Sequence, residues 1–171
     1  STWQAISNFR GGNMLFTEPG TAVKCGGAPQ KIMYLADDAL RRQGVRYNSN
    51  ILFCTPKTAI FGVQKYKEAL ERVVARKGLE PKWQHTLRSI DPATREATFE
   101  HQGENQSENV VINYEMIHVV PPMSSPDFIK RSPLANDAGW VDVDKYTLQH
   151  CRYSNVFGLG DNSSLPTSKT G

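Results

Sequence analysis

Two strand-to-helix units in tandem constrain the fold of this chain more than any other feature. Asn13-Met14-Leu15-Phe16-Thr17 is a short apolar run between Gly11-Gly12 and Pro19-Gly20, the punctuation of a strand. After a loop from Glu18 to Ala28, Ile32, Leu35, Ala36, Ala39 and Leu40 recur at helical spacing and form one apolar stripe. Pro29 suits the first turn of this helix, and Gly44 stands where a left-handed cap would end it. The pattern then repeats. Ile51-Leu52-Phe53-Cys54 reads as a buried strand stopped by Thr55-Pro56. A second helix carries Tyr66, Ala69, Leu70, Val73 and Val74 on one face and closes at Gly78. A third strand is expected from Trp83 to Leu87. Such alternation predicts an α/β fold, a parallel sheet with crossover helices.

The next stretch changes character. Leu87-Arg88-Ser89-Ile90, a turn at Asp91-Pro92-Ala93-Thr94 and Ala97-Thr98-Phe99-Glu100 read as an antiparallel hairpin. Val110-Val111-Ile112 and a run from Met116 to Val120 follow, ended by Pro121-Pro122. A small antiparallel β layer is therefore expected beside the parallel sheet. Residues 124–150 are irregular, with a short strand expected at Val141-Asp142-Val143-Asp144. Val156-Phe157-Gly158-Leu159-Gly160-Asp161 reads as an apolar strand running into a Gly-Asp pair.

Composition narrows the class. Of 171 residues, 39% are hydrophobic and 22% charged, which excludes collagen, coiled coil and wholesale disorder. A formal net charge of +3 with no Lys/Arg stripe does not suggest nucleic acid. No apolar run approaches the roughly 18 residues that mark a membrane-spanning helix. Three cysteines at wide spacing, Cys25, Cys54 and Cys151, form neither a disulfide framework nor a zinc pair, and read as thiols of a reducing compartment. His85, His101 and His118 share no metal-ligand spacing and are expected on surface or strand faces. The chain opens at Ser1-Thr2-Trp3 without Met and stops at Ser168-Lys169-Thr170-Gly171, so it reads as a piece of something longer.

Cys25 is the most informative position. It lies in a Gly-rich loop directly before a predicted helix, whose N-terminus offers unpaired N–H groups and a positive dipole end. Lys24 adds a neighbouring cation, and Gly26-Gly27 allow close backbone approach to a ligand. A reactive thiolate and an inert cysteine in a tight turn both fit this setting. The loop also sits where a dinucleotide phosphate fingerprint would, but the third glycine is absent from Gly26-Gly27-Ala28-Pro29-Gln30-Lys31. It therefore reads as the shell of a dinucleotide site that does not hold NAD. Cys54 reads as a core hydrophobe, and Cys151 as a thiol facing away from neighbouring His150.

These stretches together resemble the sulfide:quinone oxidoreductases of mitochondria and many bacteria. The resemblance rests on Val23-Lys24-Cys25-Gly26-Gly27-Ala28-Pro29-Gln30-Lys31-Ile32-Met33-Tyr34-Leu35, Ala59-Ile60-Phe61-Gly62-Val63, Pro121-Pro122-Met123, Ala138-Gly139-Trp140-Val141-Asp142-Val143-Asp144, and Asn155-Val156-Phe157-Gly158-Leu159-Gly160-Asp161 with Leu165-Pro166-Thr167-Ser168-Lys169-Thr170. It implies the second, Rossmann-like domain of a flavoprotein with two dinucleotide-type domains. Residues 1–12 would be a flank from the first FAD-binding domain, 13–150 the module itself and 151–171 the return segment.

The resemblance also implies a function for the longer protein. Sulfide is oxidised and electrons pass through FAD to quinone. Cys25 would be the sulfur-handling thiol, with Gly160, Asp161 and Lys169 near the flavin. FAD would belong to the longer protein and not be retained by this piece. A small thiol or sulfite would be a sulfur acceptor, and the protein would be peripheral to a bacterial or mitochondrial inner membrane. The family's partner cysteine falls directly after the Gly-Asp pair, where this chain has Asn162. That departure keeps open a non-catalytic sulfur-binding or regulatory module, and a second rival is an NADH-dependent flavin reductase of the same superfamily, against which the broken glycine fingerprint argues.

Overall fold

The apolar runs after Gly11 and Asn48 pair as parallel strands in a computed structural model of the chain, which describes all residues except Ala22, Lys24 and 167–171. Strand β1 (Gly12–Thr17) lies beside β2 (Ser49–Cys54) in register from Gly12 opposite Ser49 to Thr17 opposite Cys54. Short strands β3 (Glu80–Lys82) and β7 (Met116–His118) extend the sheet on either side, giving the parallel order β3-β2-β1-β7. Helices α2 (Ala28–Arg42) and α3 (Gln64–Lys77) are the crossovers. Strands β4 (His85–Asp91), β5 (Glu96–Gln102) and β6 (Ser107–Asn113) form a separate antiparallel sheet. The expected α/β architecture with an antiparallel layer is what the chain adopts.

The period of two along a strand explains how one sheet serves two cores. Met14, Phe16, Ile51 and Phe53 bury themselves with Met33, Ala36 and Leu40 of α2. The alternate residues Leu15, Leu52 and Cys54 join Ala97 and Phe99 of the antiparallel sheet. Both faces of the parallel sheet are thus covered, as continuous apolar strands require. Each fully buried side chain of this size contributes about 1.5–3 kcal/mol relative to exposure.

Three local expectations fail. The stripe assigned to α2 is rotated: Met33, Ala36, Ala39 and Leu40 are buried, whereas Leu35 is 65% exposed. On α3 only Val74 is buried, and Tyr66 and Ala69 are exposed. The third parallel strand, expected from Trp83 to Leu87, lies earlier as β3, and His85 already opens β4 of the antiparallel sheet, because Gln84 adopts a positive φ of 58° and turns the chain between them. A first helix, α1 (Thr2–Asn8), escaped the periodicity argument; its signal is the capping box formed by Ser1 and Gln4.

Asp37, fully buried on α2, ties the helix ends together. It receives Arg41 Nε at 3.0 Å, Arg46 Nε at 2.8 Å and Lys77 Nζ at 2.6 Å. Arg46 also donates to the carbonyls of Ser49, Lys77 and Gly78 at 2.7–2.9 Å, satisfying the open end of α3. Burial raises the Asp37 proton affinity, but hydrogen bonds from Arg41, Lys77 and Arg46 outweigh it and hold the carboxyl below its usual range.

All of the above lies in one compact unit, Ser1–Gly20 with Gly27–Pro121. The second unit joins Thr21–Gly26 to the residues from Pro122 onward. It contains the single-turn helix α4 (Asp127–Lys130) and a small core of Ile129, Val141 and Val143 with Leu165 against it. Its backbone is held by isolated bridges, among them Val141 to Ser163 and Val143 to His150. The expected strand at Val141–Asp144 is reduced to isolated bridges at Val141 and Val143. The strand expected over Val156–Asp161 does not form either; Phe157 bridges Gln149, and Gly160–Asn162 is a 3-10 turn.

Candidate active site

The segment bearing Cys25 leaves the first unit after Gly20 and returns at Gly27. Within the second unit it is held by Thr21, whose hydroxyl accepts a hydrogen bond from Met123 N at 3.2 Å. Cys25 is half-buried and its thiol is free. Two residues further along the chain, Gly27 is the N-cap of α2 with no side-chain cap, and no acidic residue stands in the first turn. Lys24 falls outside the described residues.

The other two thiols are placed differently. Cys54 is fully buried at the end of β2, and burial pushes its thiol up to about 12, against a weaker pull from Lys82. Cys151 is exposed, yet partial desolvation and the carboxylates of Asp142 and Asp144 raise it too, with Arg152 opposing. Neither is a ready nucleophile at neutral pH.

The Gly160-Asp161 pair sits in the 3-10 turn of the second unit. Gly160 takes a left-handed φ of 70°, and a Cβ there would meet nothing within 4 Å. The glycine is therefore required by backbone conformation, and it leaves open space above the turn. The turn is framed tightly. Gly160 O accepts from Ser163 Oγ at 2.7 Å, Val141 N donates to Asn162 O at 2.8 Å, and Val143 N donates to Ser164 Oγ at 3.0 Å. Gly158 precedes it at a close approach: a Cβ would lie 2.8 Å from both Val141 Cγ1 and Val143 Cγ1.

Two residues of this unit carry a buried polar atom with no hydrogen-bond partner, Asn162 Oδ1 and Ser125 Oγ. Buried polar atoms are normally paired, so these two atoms keep unused hydrogen-bonding capacity. Sequence reasoning reached Asn162 only as a departure from a motif and did not reach Ser125. His150 is the opposite case. Its Nδ1 accepts from Arg152 N and Tyr153 N, so Nε2 carries the proton and donates to Leu134 O at 2.9 Å. It is a buried staple and no activator of Cys151.

In the first unit, polar side chains tie together the segments that follow β1 and β2. Buried Gln30 donates to Ile60 O at 2.8 Å and accepts from Tyr34 OH at 2.8 Å, pinning the loop after β2 onto the first turn of α2. Burial of that phenol raises its proton affinity to about 12, so it stays a donor. Glu18 closes the end of β1, buried against Thr55 OH at 2.7 Å and paired with Lys57. Lys169, the remaining residue expected near a flavin, lies outside the described residues.

Comparison with known proteins places this arrangement. No family model matches the chain. Over 169 residues it is 53% identical to mitochondrial sulfide:quinone oxidoreductase of Mus musculus, covering 99% of this chain and 37% of that protein. The protein of the same name from Dictyostelium discoideum is 47% identical over 171 residues, 99% of this chain and 37% of its own length. That from Schizosaccharomyces pombe is 38% identical, over 96% and 36%. The chain thus spans a little over a third of the curated relatives it matches. Among solved structures, the sulfide:quinone oxidoreductase of Aquifex aeolicus superposes with a TM-score of 0.76 at 20% identity, over 99% of this chain and 41% of that one. NDH2 from Plasmodium falciparum superposes at 0.68 and 11% identity, over 96% and 34%. These two likenesses concern the fold, a Rossmann-like α/β domain. By its sequence the chain is similar, at 38–53% identity along nearly all of its own length, to a little over a third of these mitochondrial sulfide:quinone oxidoreductases.

Proposed function

We propose that the longer protein carrying this chain oxidises sulfide and delivers the electrons through FAD to quinone, with Cys25 as the sulfur-handling thiolate. One observation carries the reading: the half-buried free thiol of Cys25 is folded into the same unit as the Gly160-Asp161 turn. Joining hydrosulfide sulfur to the Cys25 sulfur forms one S–S bond and releases one proton and two electrons. Those two electrons, with two protons, convert quinone to quinol. A thiolate is the form that makes such a bond. The persulfide sulfur then passes to a small thiol or to sulfite.

The residues present fit a flavin. The left-handed Gly160 leaves its turn uncovered, and Asn162 Oδ1 is a buried acceptor awaiting a donor. Gly160 and Asp161 would hold FAD, with Lys169 beside them. FAD, when bound, supplies the two-electron relay. Residues 13–150 would be the second dinucleotide-type module, with 1–12 and 151–171 as its links to the FAD domain. The pinned Gln30–Ile60 pair and the missing third glycine disfavour NADH as electron donor. The names of the relatives support a mitochondrial setting, and the proposal adds peripheral attachment at the inner membrane. Among the described residues no helix is long and apolar enough to cross a membrane.

The test is Cys25→Ser in the longer protein. Sulfide-driven bleaching of the flavin absorbance is expected to disappear while FAD stays bound. Undiminished quinone reduction by sulfide in that variant would overturn the proposal.

A further inference from the structure

His85 and His101 lie directly opposite each other on β4 and β5. Gln102 N donates to Gln84 O just outside the pair, and His85 N donates away to Thr55 O. The two histidines are therefore a non-hydrogen-bonded pair, the kind whose side chains stand closest. Their ring centroids are 4.5 Å apart with a 30° tilt. On the next strand, Glu108 of β6 stands opposite His101.

Both rings are oriented through the same nitrogen. His85 Nδ1 lies 2.5 Å from Trp83 O, and His101 Nδ1 lies 3.4 Å from Glu108 Oε1. A carbonyl and a carboxylate only accept, so each Nδ1 carries the proton and each Nε2 presents its lone pair. This is the arrangement of metal-ligating histidines, in which the second nitrogen is fixed by a carbonyl or carboxylate. The edge of Phe99 packs beside His85 and limits its freedom further.

We infer that His85 and His101 form a two-histidine site for a borderline divalent transition-metal ion, Zn2+ or Cu2+, bound through both Nε2 atoms with water completing the shell. Imidazole nitrogen suits these ions, and hard cations such as Mg2+ prefer oxygen. Among the described residues no group of three or more His, Cys, Asp or Glu side chains is placed to hold a metal, so a protein-saturated centre is not what is built here. Zinc–imidazole bonds are about 2.0–2.1 Å long. The inference lies outside the sulfide reading and does not depend on it.

Titration of the chain with Zn2+, followed by long-range proton–nitrogen NMR of the imidazoles, tests it. The Nε2 resonances of His85 and His101 should shift together, with those of His118 and His150 unmoved and Mg2+ without effect. His101→Asn should abolish the response of His85 while the fold, read from the amide spectrum, is kept. Glu108→Gln should weaken binding about 10-fold by loosening the ring it orients. Unmoved Nε2 resonances for the pair in excess Zn2+, a response confined to other histidines, or an undiminished His85 response in His101→Asn would each overturn the inference.

Discussion

The backbone N–H of Met123 donates to the hydroxyl of Thr21 across 3.2 Å, joining segments 102 residues apart. Through this bond the short excursion that bears Cys25 is folded with the later part of the chain, where Gly160, Asp161 and Asn162 reside. The thiol and the proposed flavin turn therefore share one structural unit, although nearly the whole parallel sheet separates them in sequence.

The three thiols should label in a fixed order. Cys25 is half-exposed. Cys151 is exposed but raised by partial desolvation and by Asp142 and Asp144, and Cys54 is buried with a value near 12. Limiting iodoacetamide near pH 7 with mass spectrometry should find Cys25 modified first and Cys54 last. Earlier labelling of Cys151 would mean that its carboxylate neighbours do not protect it.

Asp37→Asn should cost about 3 kcal/mol, the lower end for removing one partner of a buried charge cluster, because Arg46 keeps its carbonyl partners. The native carboxyl titrates below its unfolded value of about 3.9. Its contribution is thus fully present above that value and fades as pH falls through the native one. Urea unfolding from neutral to acid pH should show the deficit of the variant shrinking as the wild type loses this term.

Gly158→Ala should destabilise by about 1–3 kcal/mol through overpacking. The new Cβ would lie 2.8 Å from Val141 Cγ1 and Val143 Cγ1. A double variant with Val143→Ala should lose less than the sum of the two single losses, and denaturant midpoints give the coupling.

Asn162→Cys should leave the fold intact. The structural bond at this position is made by the backbone, Val141 N to Asn162 O at 2.8 Å, and Oδ1 has no partner to lose. The thermal midpoint of the chain should not fall. In the longer protein the variant should keep its FAD and form a sulfur bridge to Cys25 on exposure to sulfide. Intact-mass measurement showing no bridged species at any ratio would mean that the two positions do not face one another.

Strand positions were legible because a sheet buried on both faces leaves uninterrupted apolar runs such as Ile51–Cys54, and the β4–β5 turn was legible from Asp91-Pro92. The buried face of α2 was not. Leu35 and Met33 flank the same arc, and periodicity cannot say which side meets the sheet. The break at Gln84 left no local mark, since Gln is not a turn residue by chemistry. The Gly160 turn could be read from Gly-Asp after an apolar run. The pairing of His85 with His101 could not, because cross-strand register is a tertiary fact, as are the orphaned atoms of Ser125 and Asn162.

The bond between Thr21 and Met123 has a consequence for biosynthesis. Translation at about 5–20 residues per second puts roughly 5–20 s between the emergence of the Cys25 segment and that of the backbone it bonds to. During that interval the parallel sheet can assemble, while the thiol segment remains a loop without its structural partners. Cys25 is therefore more open to oxidation on the nascent chain than in the finished fold, and an oxidant present during synthesis reaches it before the second unit exists.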